Sequence, residues 1–175
     1  MAKPTEERFN NFATVYDLKQ FLLVKKSRLE NDISQRIFSD DKTTVAKSFI
    51  KKIEEILRTE YFKATNYNMK IYELMRVLKD DDVIFLKKIG DLEKKITELE
   101  NRMENLDAND ADSGYVIPGE AEDYNNAIEM KKREIFWRVE GLREELNAYK
   151  YRLELCRKLK GIMCRPDGFF ASVYK

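Results

Sequence analysis

Two stretches decide the fold. Residues 83–106 read VIFLKKIGDLEKKITELENRMENL, and residues 135–159 read IFWRVEGLREELNAYKYRLELCRKL. In the first, Phe85, Ile89, Leu92, Ile96, Leu99, Met103 and Leu106 recur in alternating steps of four and three; in the second, Ile135, Val139, Leu142, Leu146, Tyr149, Leu153 and Cys156 do the same. That alternation places every apolar side chain on one narrow stripe of a helix, and a narrow stripe needs a partner stripe to leave water. The nearest partner is the other helix of the same chain, folded back through a loop.

The flanking positions favour that hairpin. Glu93, Glu100 and Asp107 border the first seam on one side, and Arg143, Lys150 and Arg157 border the second. Antiparallel pairing brings these rows together. A slip of one heptad preserves the match, so charge alone leaves the register open. On the other side, Lys88, Lys95 and Arg102 meet Arg138, Glu145 and Arg152 less well. A parallel homodimer of the first helix would pair Lys88 with Glu93, Lys95 with Glu100, and Arg102 with Asp107. The hairpin is preferred because closing a short loop costs little.

Outward from these stretches the chain reads as all-α, a single helical domain of a bundle body and a long antiparallel coiled-coil hairpin. Charged residues make up 37% of the 175 residues, while Gly (6) and Pro (3) are scarce, as suits long helices. Four helices are predicted, at 6–38, 42–79, 83–106 and 121–160. Thr5 is the expected cap of the first. Ser39-Asp40-Asp41 separates the first two, and Asp80-Asp81-Asp82 is read as a break before the third. Thr65-Asn66-Tyr67-Asn68 is a weak point in the second helix. Residues 107–120 form an acidic loop; the run to Asp123 holds six acids and no base. Gly161 is the expected stop of the fourth helix, Arg165-Pro166-Asp167-Gly168 a tight turn, and 161–175 a turn and apolar tail docked on its own domain. Val83, Ile84 and Leu86, with Tyr151, Leu155, Leu159 and Ile162, widen the apolar surface at one end of the hairpin, which is expected to be buried on more than one side.

Function classes are narrowed by what is missing. The chain has no His, which removes the commonest general base and metal ligand together. No phosphate-binding glycine loop or nucleophile elbow is present, and adjacent acids such as Glu54-Glu55 and Glu144-Glu145 diverge around a helix. No enzyme, catalytic residue, cofactor, metal site or small-molecule substrate is expected. Asn109, Ser113 and Glu120 approach calcium-loop spacing, but Ala111 stands where a ligand oxygen is needed. Two cysteines, Cys156 and Cys164, are too few for a disulfide framework, which suits a reducing compartment. No apolar run is long enough to span a membrane and no signal peptide is evident, so a soluble, intracellular protein is expected.

Binding remains. Phe136 and Trp137 lie off the second seam near the loop carrying Tyr115, Val116 and Ile117, and these five residues are the candidate partner-binding surface. Covering of the two rings by the loop is the competing reading. Basic clusters at 25–28, 51–52, 131–133 and 157–160, and nine Lys/Arg against four Asp/Glu over 42–79, carry the alternative of a nucleic-acid-associated accessory protein. Their interleaving with acids is how a solvated helix face ordinarily looks. The expected function is a structural or adaptor subunit that binds protein partners, or itself, through the hairpin. Many structural proteins share such hairpins, and no motif here singles out a family.

Overall fold

The computed structural model describes residues 12–112 and 118–174, with side chains described outside 107–124 and Phe169. Every element among the described residues is helical: α1 (Val15–Ser34), α2 (Asp40–Leu57), two 3-10 turns (Glu60–Phe62 and Ala64–Asn66), α3 (Ile71–Asp112), α4 (Pro118–Cys164), α5 (Pro166–Phe169) and α6 (Ala171–Tyr174). The chain divides into two compact units. One contains the residues up to Asp82 and from Glu154 on; the other is the hairpin, Val83–Leu153.

The hairpin forms as its seams require. Ile89, Leu92, Ile96 and Leu99 of α3 bury against Val139, Leu146 and Leu153 of α4, with Phe85, Ile135, Leu142 and Tyr149 packed around them. Each buried aliphatic side chain contributes roughly 1.5–3 kcal/mol, so this seam dominates the stability of the unit. Two flank pairs show which register is adopted. Arg143 meets Glu100 at 2.6 Å and Lys150 meets Glu93 at 3.8 Å, seven residues apart on each helix and running in opposite directions. These exposed pairs are worth no more than about 1 kcal/mol each; they accompany the register, and the seam supplies the stability. The third expected member, Arg157, pairs instead with Asp82 at 3.0 Å, and the side chain of Asp107 lies outside the described residues. The second seam also extends further back than expected, to the buried Ile128; Lys132 occupies the intervening heptad position and hides the continuity.

The other unit has its own core. Its buried side chains are Val15, Leu18, Leu22 and Leu29 of α1, Ile53 and Ile56 of α2, Leu74 and Leu78 of α3, and Leu159, Ile162 and Met163 of α4. The C-terminal tail docks here as expected. Phe170 is fully buried, with its ring 6.4 Å from Phe21 and 5.7 Å from Phe49, and Tyr174 donates to Asp32 at 2.9 Å.

Several boundaries differ from the sequence reading. α1 begins at Val15 and is capped by Thr14: its hydroxyl accepts from the Asp17 amide, and the Asp17 carboxylate accepts from the Thr14 amide, a reciprocal capping box. Thr5 lies outside the described residues. α1 ends at Ser34 in a Schellman motif, where Arg36 and Ile37 amides donate to Ile33 and Asp32 carbonyls and Arg36 takes the left-handed conformation at φ 55°. Ser39 does cap α2, accepting from the Lys42 amide.

The break expected at Asp80-Asp81-Asp82 is absent, and α3 runs through it. The interruption falls earlier, at the 3-10 turns preceding α3, where Thr65 and Asn66 are poor helix formers. There the chain before α1 meets the chain before α3: the Val15 amide donates to the Met69 carbonyl at 2.9 Å, and Ile71 donates to Ala13 at 3.3 Å. Two of the three aspartates are compensated by side chains, which lets the helix run through them. Tyr61 donates to Asp81, while Arg157 and Lys160 neutralise Asp82.

Gly161 does not stop α4. Ile162 and Met163 just beyond it are fully buried, and that burial outweighs a glycine's preference of about 1 kcal/mol for leaving a helix. Residues 166–169 form a short helix, α5, with Pro166 in its first turn, rather than an isolated tight turn. Leu155, Leu159 and Ile162 are buried as expected, but Val83, Ile84 and Leu86 are exposed, and Tyr151 is too. Those three residues of α3 point away from the seam that Phe85 faces.

Candidate protein-interaction surface

The surface is built on α4 by the same heptad that builds the hairpin. With Ile135 and Val139 committed to the seam, Phe136 falls on the flank and Trp137 on the outer face. Met130, one heptad before Trp137, falls on the same outer stripe. Trp137 is 70% exposed, Met130 63% and Phe136 49%. The Phe136 and Trp137 rings meet edge to face, centroids 5.6 Å apart. Two of the five candidate residues are thus brought together and left open to solvent. Tyr115, Val116 and Ile117 lie outside the described residues. The sequence reading missed Met130, which the heptad offset from Trp137 would have found.

A second feature lies on the flank opposite the ion-paired rows. Leu99, Arg102, Leu106, Lys131, Glu134, Ile135 and Arg138 line a cleft of about 510 Å³ between α3 and α4. Three cations and one acid therefore stand around an apolar lining. Further along the same flank, Lys88, Lys94 and Lys95 line a cleft of about 320 Å³ together with Asp91, Glu98 and Glu145, and there the charges balance.

The basic clusters singled out from sequence are largely occupied within the other unit. Lys26 pairs with Glu30 and Glu54, Arg28 with Asp32, Lys52 with Glu55 and Glu154, and Arg157 and Lys160 with Asp82. Lys25 sits over the Phe21 and Phe170 rings. A cation already held by a carboxylate must give up that pair to neutralise a phosphate, so these clusters make a poor polyanion track.

Perturbed titrations in this unit follow from packing. Burial, and then the hydrogen bond to Asp81, push the Tyr61 hydroxyl well above its ordinary range. Burial likewise pushes the Cys156 thiol up; it donates to the Leu78 carbonyl at 3.2 Å and behaves as a core side chain. Cys156 and Cys164 are both free. Among the described residues, no group of three or more His, Cys, Asp or Glu could hold a metal ion. The calcium-like spacing of the loop falls on side chains outside them. No helix among the described residues is long and apolar enough to cross a membrane. No protein-family model, curated protein or solved structure matches this chain.

Proposed function

We propose that the protein is a non-enzymatic structural or adaptor subunit that binds a protein partner through its helical hairpin. The observation that carries this reading is the solvent-exposed ridge of Met130, Phe136 and Trp137 on α4. The hairpin's stability resides in the buried seam, so these three side chains are not needed to hold it together. Large apolar groups left together in water favour association, and Trp is the residue most enriched where binding energy concentrates. The alternative, a nucleic-acid-associated protein, is weakened by the internal pairing of the basic clusters outside the hairpin.

The test is affinity capture from the native source with the wild-type chain and with Trp137→Ala, read by mass spectrometry. A partner retained by the wild type should bind the variant more weakly by roughly 1–3 kcal/mol, the loss typical of an interface anchor. Equal capture by both would remove the ridge from the interface.

A further inference from the structure

We infer that the cleft lined by Arg102, Lys131 and Arg138 docks an acidic amphipathic helix supplied by a protein partner. This rests on the reading of the hairpin as a protein-binding element and names the chemistry of what it binds. Three observations converge on it. The lining is apolar at Leu106 and Ile135, half-buried side chains of the two seams, with the buried Leu99 beneath them. Around them stand three cations against Glu134 alone, and none of the three cations forms an ion pair among the described residues, whereas Arg143 and Lys150 on the opposite flank do. The neighbouring cleft on the same flank is charge-balanced, so the positive excess is local to this one.

A two-stranded seam with an open, cation-walled groove is the geometry that a third helix fills. Its apolar knobs would rest on Leu99, Leu106 and Ile135, and its flanking Glu or Asp side chains would meet the guanidinium groups of Arg102 and Arg138, which suit bidentate carboxylate recognition. A nucleic-acid backbone fits less well. It needs a continuous row of cations, and the row here gives way to a balanced patch within a few helical turns. A second copy of this chain fits less well too, because Glu93 and Glu100 of its hairpin are already held by Lys150 and Arg143.

The experiment uses the full-length protein and fluorescence anisotropy of three labelled probes: a leucine-seam helical peptide with Glu at its flanking positions, its twin with Lys at those positions, and a duplex DNA. The acidic peptide should bind, and the Lys twin and the duplex should bind more weakly. Arg138→Glu should weaken the acidic peptide at least ~tenfold. Because that change removes a like charge beside Arg102, the thermal melt should not fall, which separates lost binding from lost folding. Arg102→Glu should act alike, and Lys87→Glu, outside the cleft, should leave affinity unchanged. The inference is overturned if the acidic peptide binds no better than its Lys twin, if the duplex binds more tightly than the peptide, or if Arg138→Glu leaves affinity intact. Such a result alongside a partner still lost with Trp137→Ala would overturn the cleft's role alone and leave the protein-binding reading in place.

Discussion

The Arg157 guanidinium donates to the Asp82 carboxylate at 3.0 Å across 75 residues of sequence, and Lys160 approaches the same oxygen at 3.2 Å. Asp82 is where a sequence reader ends a helix, since aspartate favours caps and would stand on the apolar seam of a continuous one. The two cations one turn apart on α4 remove that objection. They hold the Asp82 carboxyl below its usual range, chiefly through the Arg157 hydrogen bonds. A carboxyl whose pKa is lowered by folding contributes stability above its unfolded value, about 4, and loses that contribution as pH falls through the folded value. Asp82→Asn should therefore melt below wild type at neutral pH, and the gap should close on acidification below about pH 4. A gap constant with pH would show that the charge is not what Asp82 supplies.

The hairpin was legible because its signal is local and periodic. Seam side chains from Phe85 to Leu153 carry their burial in the heptad itself, and alanine substitution should show how unequally seam and flank contribute. Leu99→Ala should cost about 2–5 kcal/mol, the range for a buried leucine. Glu100→Ala, next door and paired with Arg143, should cost less than about 1 kcal/mol. Urea unfolding followed by circular dichroism measures both. Comparable losses would mean that the flank pairs, not the seam, hold α3 to α4.

What the sequence hid was tertiary override of local preference. Gly161 and Asp80-Asp81-Asp82 carry helix-ending chemistry; burial of Ile162 and Met163 overrules the first, and Arg157 and Lys160 overrule the second from positions that no local pattern connects to it. The cationic cleft was half-visible, in the poor match of Arg102 with Arg138. Without a register, nothing said that Lys131 joined them or that Glu145 belonged to a different patch. The exposure of Trp137 could be placed on the outer face by heptad counting, but whether the loop covered it could not.

The end of α1 offers a backbone test. Arg36 occupies the left-handed position of the Schellman motif, at φ 55°, where a Cβ is strained and glycine is the usual choice. Arg36→Gly should stabilise the protein by up to about 1 kcal/mol, the relieved strain being partly offset by glycine's greater freedom when unfolded. A lowered melting temperature would show that the Arg36 side chain makes a compensating contribution.

Trp137 reports directly on the proposed interaction surface, because it is the only tryptophan in the chain. With the ring 70% exposed, the isolated protein should emit at long wavelength, as an indole in water does, and iodide should quench it efficiently. On partner binding the ring leaves water, so the emission should shift to the blue and quenching should fall. Phe136→Ala removes the ring packed edge to face against it; it should raise quenching slightly in the free protein and weaken binding, with little change in the helical melt. Emission that is already blue and protected from iodide in the isolated chain would place Trp137 inside the protein's own fold. The hairpin would then lose the exposed aromatic anchor on which its role as a binding element rests.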